Sequence, residues 1–224
     1  MSASLASTMA GKMEGPRVAL LEDQQTQRDE LVLVLKTKSL VPVSIEQARG
    51  TSGELAREIE GRHVSLALCD QNLYGMTNTT GAEVVAKLTD DHVPAILYSE
   101  QKDEIPHFRH LLNRIPRFFD RDEIEKLDLK AEAVKIASEF GNEPLEKRPY
   151  RTLLRIEDVI NGDTVAFLVP AWDGNQCIEM SMRGFPERIR PKVIAGSRLF
   201  AKVNLHALDK THLFVTDVQE PRES

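Results

Sequence analysis

The sequence predicts an α/β chain: a doubly wound five-stranded parallel sheet over residues 16–140, followed by a second, smaller all-β domain of barrel or sandwich type over residues 151–224. Three observations carry this. Short apolar runs recur, and each stops at a polar residue, as parallel strands buried on both faces do. They are Arg17–Leu21 before Glu22 and Asp23, Val64–Cys69 before Asp70, Pro94–Tyr98 before Ser99, and Arg117–Phe119 before Asp120 and Arg121. Segments with helical spacing of apolar residues lie between these runs, the alternation that builds such sheets. Beyond residue 150 the apolar period becomes two, and turn signals separate short strands.

Element by element, the first 15 residues are small and polar and lack the continuous apolar stretch of a signal peptide, so they read as a disordered tail. Residues 25–38 read as a helix with Leu31, Val34 and Leu35 on one face. Val41–Ile45 is a short strand, and Ser52–Glu60 a helix with Leu55, Ala56 and Ile59 as its stripe. Gly81–Leu88 reads as a helix carrying Val84, Val85 and Leu88. Residues 103–113 form a weaker helix, in which Pro106 is tolerable only in the first turn. One helix over residues 123–140 closes the first domain, and residues 141–150, with Pro144 and Pro149, read as a linker. In the second domain Thr164–Val169 is strand-like and Asp173-Gly174 a turn signal. Ile178, Met180 and Met182 alternate with polar residues, as do Leu199, Ala201, Val203 and Leu205, and Leu213–Asp217 ends the set.

Composition narrows the function classes. The hydrophobic share of 41% supports a real core. No apolar run approaches the roughly 18 residues that cross a membrane. Cys69 and Cys177 fit no metal-ligand spacing, so a reducing cytoplasm without a disulfide is the natural reading. The formal charge of −6 is uneven: residues 1–149 hold 19 Lys and Arg against 25 Asp and Glu, and residues 150–224 hold 10 against 10. An acidic first domain does not attract phosphate backbones. In the second, Arg183, Arg188, Arg190, Lys192, Arg198 and Lys202 cluster in sequence near Trp172, Phe185 and Phe200, the ingredients of a single-strand platform. Its neutral balance and the lack of a helix-turn-helix pattern argue against nucleic-acid binding.

In a doubly wound sheet, ligands bind beyond the carboxyl ends of the strands. Here those ends carry Asp23, Asp70, Ser99 and Arg121. Moving a phosphoryl group onto a carboxylate needs an exposed acceptor, a hard cation to offset charge, and fixed donors for the phosphoryl oxygens. Asp70 is the candidate acceptor. Glu22 and Asp23 form an acidic pair that, with Asp70 and the backbone carbonyl of Asn72, suits Mg²⁺. Ser99 offers a hydroxyl and Arg121 a cation.

These motifs resemble the receiver (CheY-like) domain of two-component response regulators over roughly 125 of the 224 residues. Val18–Asp23 is similar to the family's first strand and acidic pair, and Leu66–Met76 to its phosphoacceptor strand and loop. Pro94–Ser99 resembles the strand ending in a Thr or Ser, and Arg117–Arg121 lies where the family has an aromatic, a hydrophobic residue and lysine. Four departures stand out: Arg121 for the lysine, a longer loop from Thr77 to Thr80, Tyr74 for the proline before Gly75, and Ile115-Pro116 for Gly-Ala. The resemblance implies a cytoplasmic signalling protein rather than an enzyme with an external substrate. It implies Mg²⁺-dependent phosphorylation of Asp70 by a histidine kinase or histidine phosphotransfer protein. The β-rich part would dock a partner or its own receiver, and the oligomeric state stays open, a homodimer included. The alternatives are a degenerate receiver serving as a protein-binding scaffold, a receiver-regulated nucleic-acid binder, and, last, a phosphatase-like hydrolase, which lacks a second Asp where Asn72 stands.

Overall fold

The computed structural model describes residues 15–45, 50–74, 77–100, 104–142 and 144–221. The expected tail, the Gly75-Met76 step of the acceptor loop and the first residue of the 103–113 helix lie outside the described residues.

The first sheet comprises β1 (Arg17–Leu21), β2 (Val41–Ser44), β3 (Leu66–Asp70), β4 (Ala95–Ser99) and β5 (Arg117–Asp120), all parallel in the order β2-β1-β3-β4-β5. Alternate residues of β1, β3 and β4 feed two separate cores, which is why these runs are apolar throughout. Val18, Leu20, Leu68 and Ile96 pack with α1 (Gln25–Thr37) on one face. Ala19, Leu21, Cys69 and Leu97 pack on the other with α2 (Ser52–Gly61) and α3 (Gly81–Asp90). Thr51 with Glu54 and Thr80 with Glu83 form capping boxes that start α2 and α3, satisfying amides no helical carbonyl can reach.

Two expected helices differ. The 103–113 segment is a single helical turn, α4 (Ile105–Phe108), continued by a 3₁₀ turn over Arg109–Arg114, with Pro106 in its first turn. The 123–140 helix is two pieces, α5 (Arg121–Ile124) and α6 (Leu129–Glu139). Ile124 and Leu129 both enter the core, and their five-residue spacing does not fit one continuous helical face. Asp128 accepts the amides of Lys130 and Ala131 at 3.1 Å and restarts the helix. Arg117 holds α6 to β5 through Glu132 and Glu139.

The second sheet is antiparallel, in the order β10-β9-β6-β7-β8. Its strands are β6 (Tyr150–Ile160), β7 (Thr164–Val169), β8 (Asp173–Ser181), β9 (Arg198–Val203) and β10 (Val215–Gln219). β6 is its central and longest strand, and the expected linker through Tyr150 ends one residue inside it. The turn falls at residues 170–172, and Asp173-Gly174 begin β8 instead. The strands make one sheet, which corrects the sandwich expectation; among the described residues no pairing of β8 with β10 closes it into a barrel. Its apolar face, from Leu154, Ile156, Phe167, Met180 and Ala201, is covered by Phe185, Ile189, Val193 and Leu213 from the connecting segments. Three of the six clustered cations are engaged within the chain. Lys192 pairs with Glu220, Lys202 with Asp217, and Arg190 folds onto the carbonyls of Phe185 and Arg183.

The sheets meet at the α4 segment. Arg109, 4% exposed, donates from Nε to the Glu179 carbonyl at 2.6 Å and from Nη1 to the carbonyls of Lys210 and Leu213 at 2.6 and 2.5 Å. Phe214 is buried in the core that the first sheet shares with α2, α3 and the α4 segment. Cys69 and Cys177 are both free thiols, one buried and one exposed. Among the described residues, no helix is long and apolar enough to cross a membrane.

Candidate functional site

Parallel register brings every candidate to one edge. Leu21 lies beside Cys69, Asp70 beside Tyr98 and Ser99 beside Asp120, so the residues at or after these strand ends surround one crevice. One carboxylate oxygen each from Glu22, Asp23 and Asp70 lies within 4.8 Å of the others. Asp23 and Asp70 are therefore neighbours, as the sequence motif requires.

The three carboxylates are not equivalent. Glu22 is fully buried, and both its oxygens are engaged. Oε1 accepts the Gln24 amide at 3.0 Å, and Oε2 accepts the Tyr98 hydroxyl at 3.1 Å and Arg121 Nη1 at 3.3 Å. Burial raises its pKa, and these donors and the guanidinium pull it back. Asp70 is 7% exposed, and its Oδ2 accepts the Asn72 amide at 3.0 Å. Burial first, and then the charge of Glu22, push its pKa up to about 8; Asp23 and Glu104 add to this, and the Asn72 amide opposes it. The Glu22 charge is compensated by three donors, and Asp70 Oδ2 has the Asn72 amide.

Ser99 and Arg121 also reach the site, in a particular state. The Ser99 hydroxyl donates to Glu104 Oε2 at 2.5 Å, and the Asn72 side-chain amide donates to Glu104 Oε1 at 2.6 Å. Arg121 Nη1 also bonds Gln27 and stands 3.6 Å from Glu100. Tyr98, Gln27, Glu100 and Glu104 were not legible as site residues. Tyr98 reads simply as strand, and Glu104 depends on the path of a loop. Arg28, buried against the Glu22 carbonyl, fixes the turn after β1.

The order β2-β1-β3-β4-β5, reversing at β1 and β3, puts the crevice at the topological switch point, with carboxylates on both flanking strands. Residues 17–140 have the receiver fold. No family model and no curated protein matches the sequence. Solved structures to which part of this chain is similar include a DNA-binding response regulator of the LuxR family from Staphylococcus aureus, at 18% identity and TM-score 0.40, covering 55% of this chain and 98% of that one. The signal receiver domain of a modulated diguanylate cyclase from Desulfovibrio desulfuricans is 18% identical, TM-score 0.43, over 56% of this chain and 98% of that one. The signal receiver domain of an HD domain-containing protein from Pseudomonas fluorescens is 16% identical, TM-score 0.43, over 61% and 99%.

Among the described residues, two buried polar atoms of the crevice have no hydrogen-bond partner: Asp23 Oδ1 and Arg121 Nη2. A carboxylate oxygen without a donor, among three acidic groups, fits a hard divalent cation. A guanidinium N–H without an acceptor fits a phosphoryl oxygen.

The lengthened loop does not disturb this edge, because α3 is pinned directly behind Asp70. The Gly81 amide donates to the Gln71 carbonyl at 3.0 Å, and the Ala82 amide to the Gln71 side chain at 3.1 Å. A Cβ on Gly81 would lie 1.9 Å from the Asp70 carbonyl oxygen. Gly81→Ala is therefore expected to destabilise the protein by about 3 kcal/mol, since neither strand nor helix backbone can yield cheaply. Urea denaturation checks this, and an unchanged midpoint would mean that α3 stands off the strand.

Proposed function

We propose that this chain is a response-regulator-like signalling protein that accepts a phosphoryl group on Asp70. The observation carrying the reading is the convergence of Glu22, Asp23, Asp70, Ser99 and Arg121 from four strand ends on one crevice. A histidine kinase or histidine phosphotransfer protein would be the donor, in the cytoplasm.

Asp23 and Asp70, with the Asn72 carbonyl and Glu22 close by, would hold Mg²⁺. When bound, Mg²⁺ supplies the positive charge that lets two anions approach. The remaining work falls to the chain. Asp70 in its ionised form attacks phosphorus with a carboxylate oxygen; the bond from phosphorus to the donor nitrogen, or to oxygen in acetyl phosphate, breaks, and the donor leaves with its electron pair. The product is an acyl phosphate. The Ser99 hydroxyl and the unpartnered Arg121 N–H are the donors for its oxygens. Arginine here presents a fork already half engaged by Glu22 and Gln27, so only part of it faces the phosphoryl group. The antiparallel sheet would then serve as the output or interaction module, sensing the receiver through the α4 segment.

Incubation with Mg²⁺ and acetyl phosphate tests this. Intact-mass spectrometry is expected to show one added phosphoryl group on the wild type and none on Asp70→Asn. Identical spectra for the two proteins overturn the reading. One observation favours a second reading, a protein-binding scaffold: Ser99 and Asn72 already hold a carboxylate of the chain itself. A scaffold would bind its partner equally well with Asp70→Asn.

A further inference from the structure

We propose that Glu104 is an internal competitor for the phosphoryl seat, and that its displacement by the incoming group is what reports phosphorylation to the second sheet. This rests on the phosphoacceptor reading of Asp70 and adds a regulatory residue to it.

The Glu104 carboxylate bridges two donors from different parts of the receiver edge. Ser99 ends β4, and Asn72 lies two residues after Asp70. Each Glu104 oxygen takes one of them, at 2.5 and 2.6 Å. A serine hydroxyl has a single hydrogen to donate. While Glu104 holds it, Ser99 cannot donate to a phosphoryl oxygen. An acyl phosphate on Asp70 would also place a doubly charged anion beside this carboxylate, and like charges in a partly buried crevice repel strongly. Glu104 already adds to the unfavourable field at Asp70. A phosphoryl group that takes Ser99 therefore releases Glu104.

What Glu104 holds gives the release a consequence. It is the residue immediately before α4, whose four residues carry no side-chain cap of their own. The next residue after α4 is Arg109, which donates to carbonyls of Glu179, Lys210 and Leu213 in the second sheet and its connection. The Ser99–Glu104 bond thus anchors one end of a segment whose other end grips the output module. Four residues separate the two charged groups, so movement at one is transmitted over a single short turn. This is a physical two-position element, with Glu104 bound or released, and both sites bias it.

Two variants of the full-length chain test the proposal, Glu104→Ala and Glu104→Gln. With Mg²⁺ and acetyl phosphate, Glu104→Ala is expected to gain the phosphoryl group about tenfold faster than wild type, within the usual range of coupling between sites. Glu104→Gln, which loses the charge but keeps an acceptor for Ser99, is expected to fall between them. Without any phosphoryl donor, amide hydrogen exchange over residues 105–114 is expected to rise about threefold in Glu104→Ala, because the segment has lost its anchor. If wild type and Glu104→Ala are phosphorylated at equal rates while Asp70→Asn stays inert, the competitor role is overturned and the acceptor reading stands. A slower Glu104→Ala likewise overturns it, since Glu104 would then assist the reaction. If neither wild type nor Glu104→Ala gains mass, the acceptor reading falls and the proposal with it.

Discussion

Asp70→Asn is expected to stabilise the protein at neutral pH in the absence of divalent cations, by about 2–4 kcal/mol. The cause is the low-dielectric, acidic position of Asp70. Burial and Glu22 raise its pKa from 3.8 to about 8 in the folded chain. The sign follows from proton counting. Between those values the folded state holds a proton that the unfolded state has released, so stability is fully present below about pH 4 and declines as pH rises to about 8. At pH 7 about three quarters of that loss has been incurred, about 4 kcal/mol if the whole shift is expressed. Asparagine carries no charge at any of these pH values and can still accept the Asn72 amide, so its stability should be flat across the window. Urea denaturation in a chelator, from about pH 4 to about pH 8, checks this directly. An identical pH slope in both proteins would mean that the shared proton sits on Glu22. Added Mg²⁺ should reverse the order. A cation bound to the folded state alone stabilises by mass action, about 2.7 kcal/mol at a hundredfold excess over Kd, and Asp70→Asn lacks one of its ligands. Cation binding should also release a proton and so strengthen as pH approaches 8.

That site was legible because its parts sit at the ends of strands whose interiors are uniformly apolar. Leu66–Cys69 and Ala95–Tyr98 are buried on both faces, so the first polar residue in each marks the edge of the sheet. Asp70 and Ser99 followed from this without any knowledge of the loops, and Arg121 stands one residue beyond the half-buried β5. What escaped was whatever depends on chain path rather than period. β6 was hidden because its outward residues, Arg151, Arg155 and Glu157, make a charged stretch, although Thr152, Leu154 and Ile156 alternate inward. The break between α5 and α6 lay in one five-residue spacing within an otherwise helical pattern. Tyr98 looked like one more core residue, yet its hydroxyl holds Glu22. Glu104 and Arg109 are single charged residues in a weak segment. Their partners lie 5 and 32 residues away for Glu104, and 70 to 104 residues away for Arg109. No local pattern encodes such separations.

Arg109→Ala is expected to cost about 3 kcal/mol or more and to separate the unfolding of the two sheets. A buried guanidinium making three hydrogen bonds to backbone carbonyls is a strong, fixed connection, since bonds to charged donors exceed neutral ones. Removing it leaves the carbonyls of Glu179, Lys210 and Leu213 without this donor, the Leu213 carbonyl in a buried position. Arg109→Lys should rescue little, because an ammonium on a flexible stem cannot hold carbonyls in three directions as the planar fork does. The chain supplies its own reporter. Its one tryptophan, Trp172, packs in the second sheet, with Nε1 donating to the Ala207 carbonyl at 3.1 Å. Helix content, in contrast, belongs to the receiver. In the wild type, Trp172 fluorescence and far-ultraviolet circular dichroism should report one coincident urea transition. In Arg109→Ala the fluorescence transition should move to lower urea, ahead of the loss of helix, because the second sheet loses its three charge-assisted bonds to the first. Phosphorylation of Asp70 should persist in this variant, since Arg109 touches none of the crevice residues, while any effect of phosphorylation on the second sheet should be lost. Coincident, unshifted transitions would show that the two sheets hold together without Arg109, and that α4 is not the connection between acceptor and output.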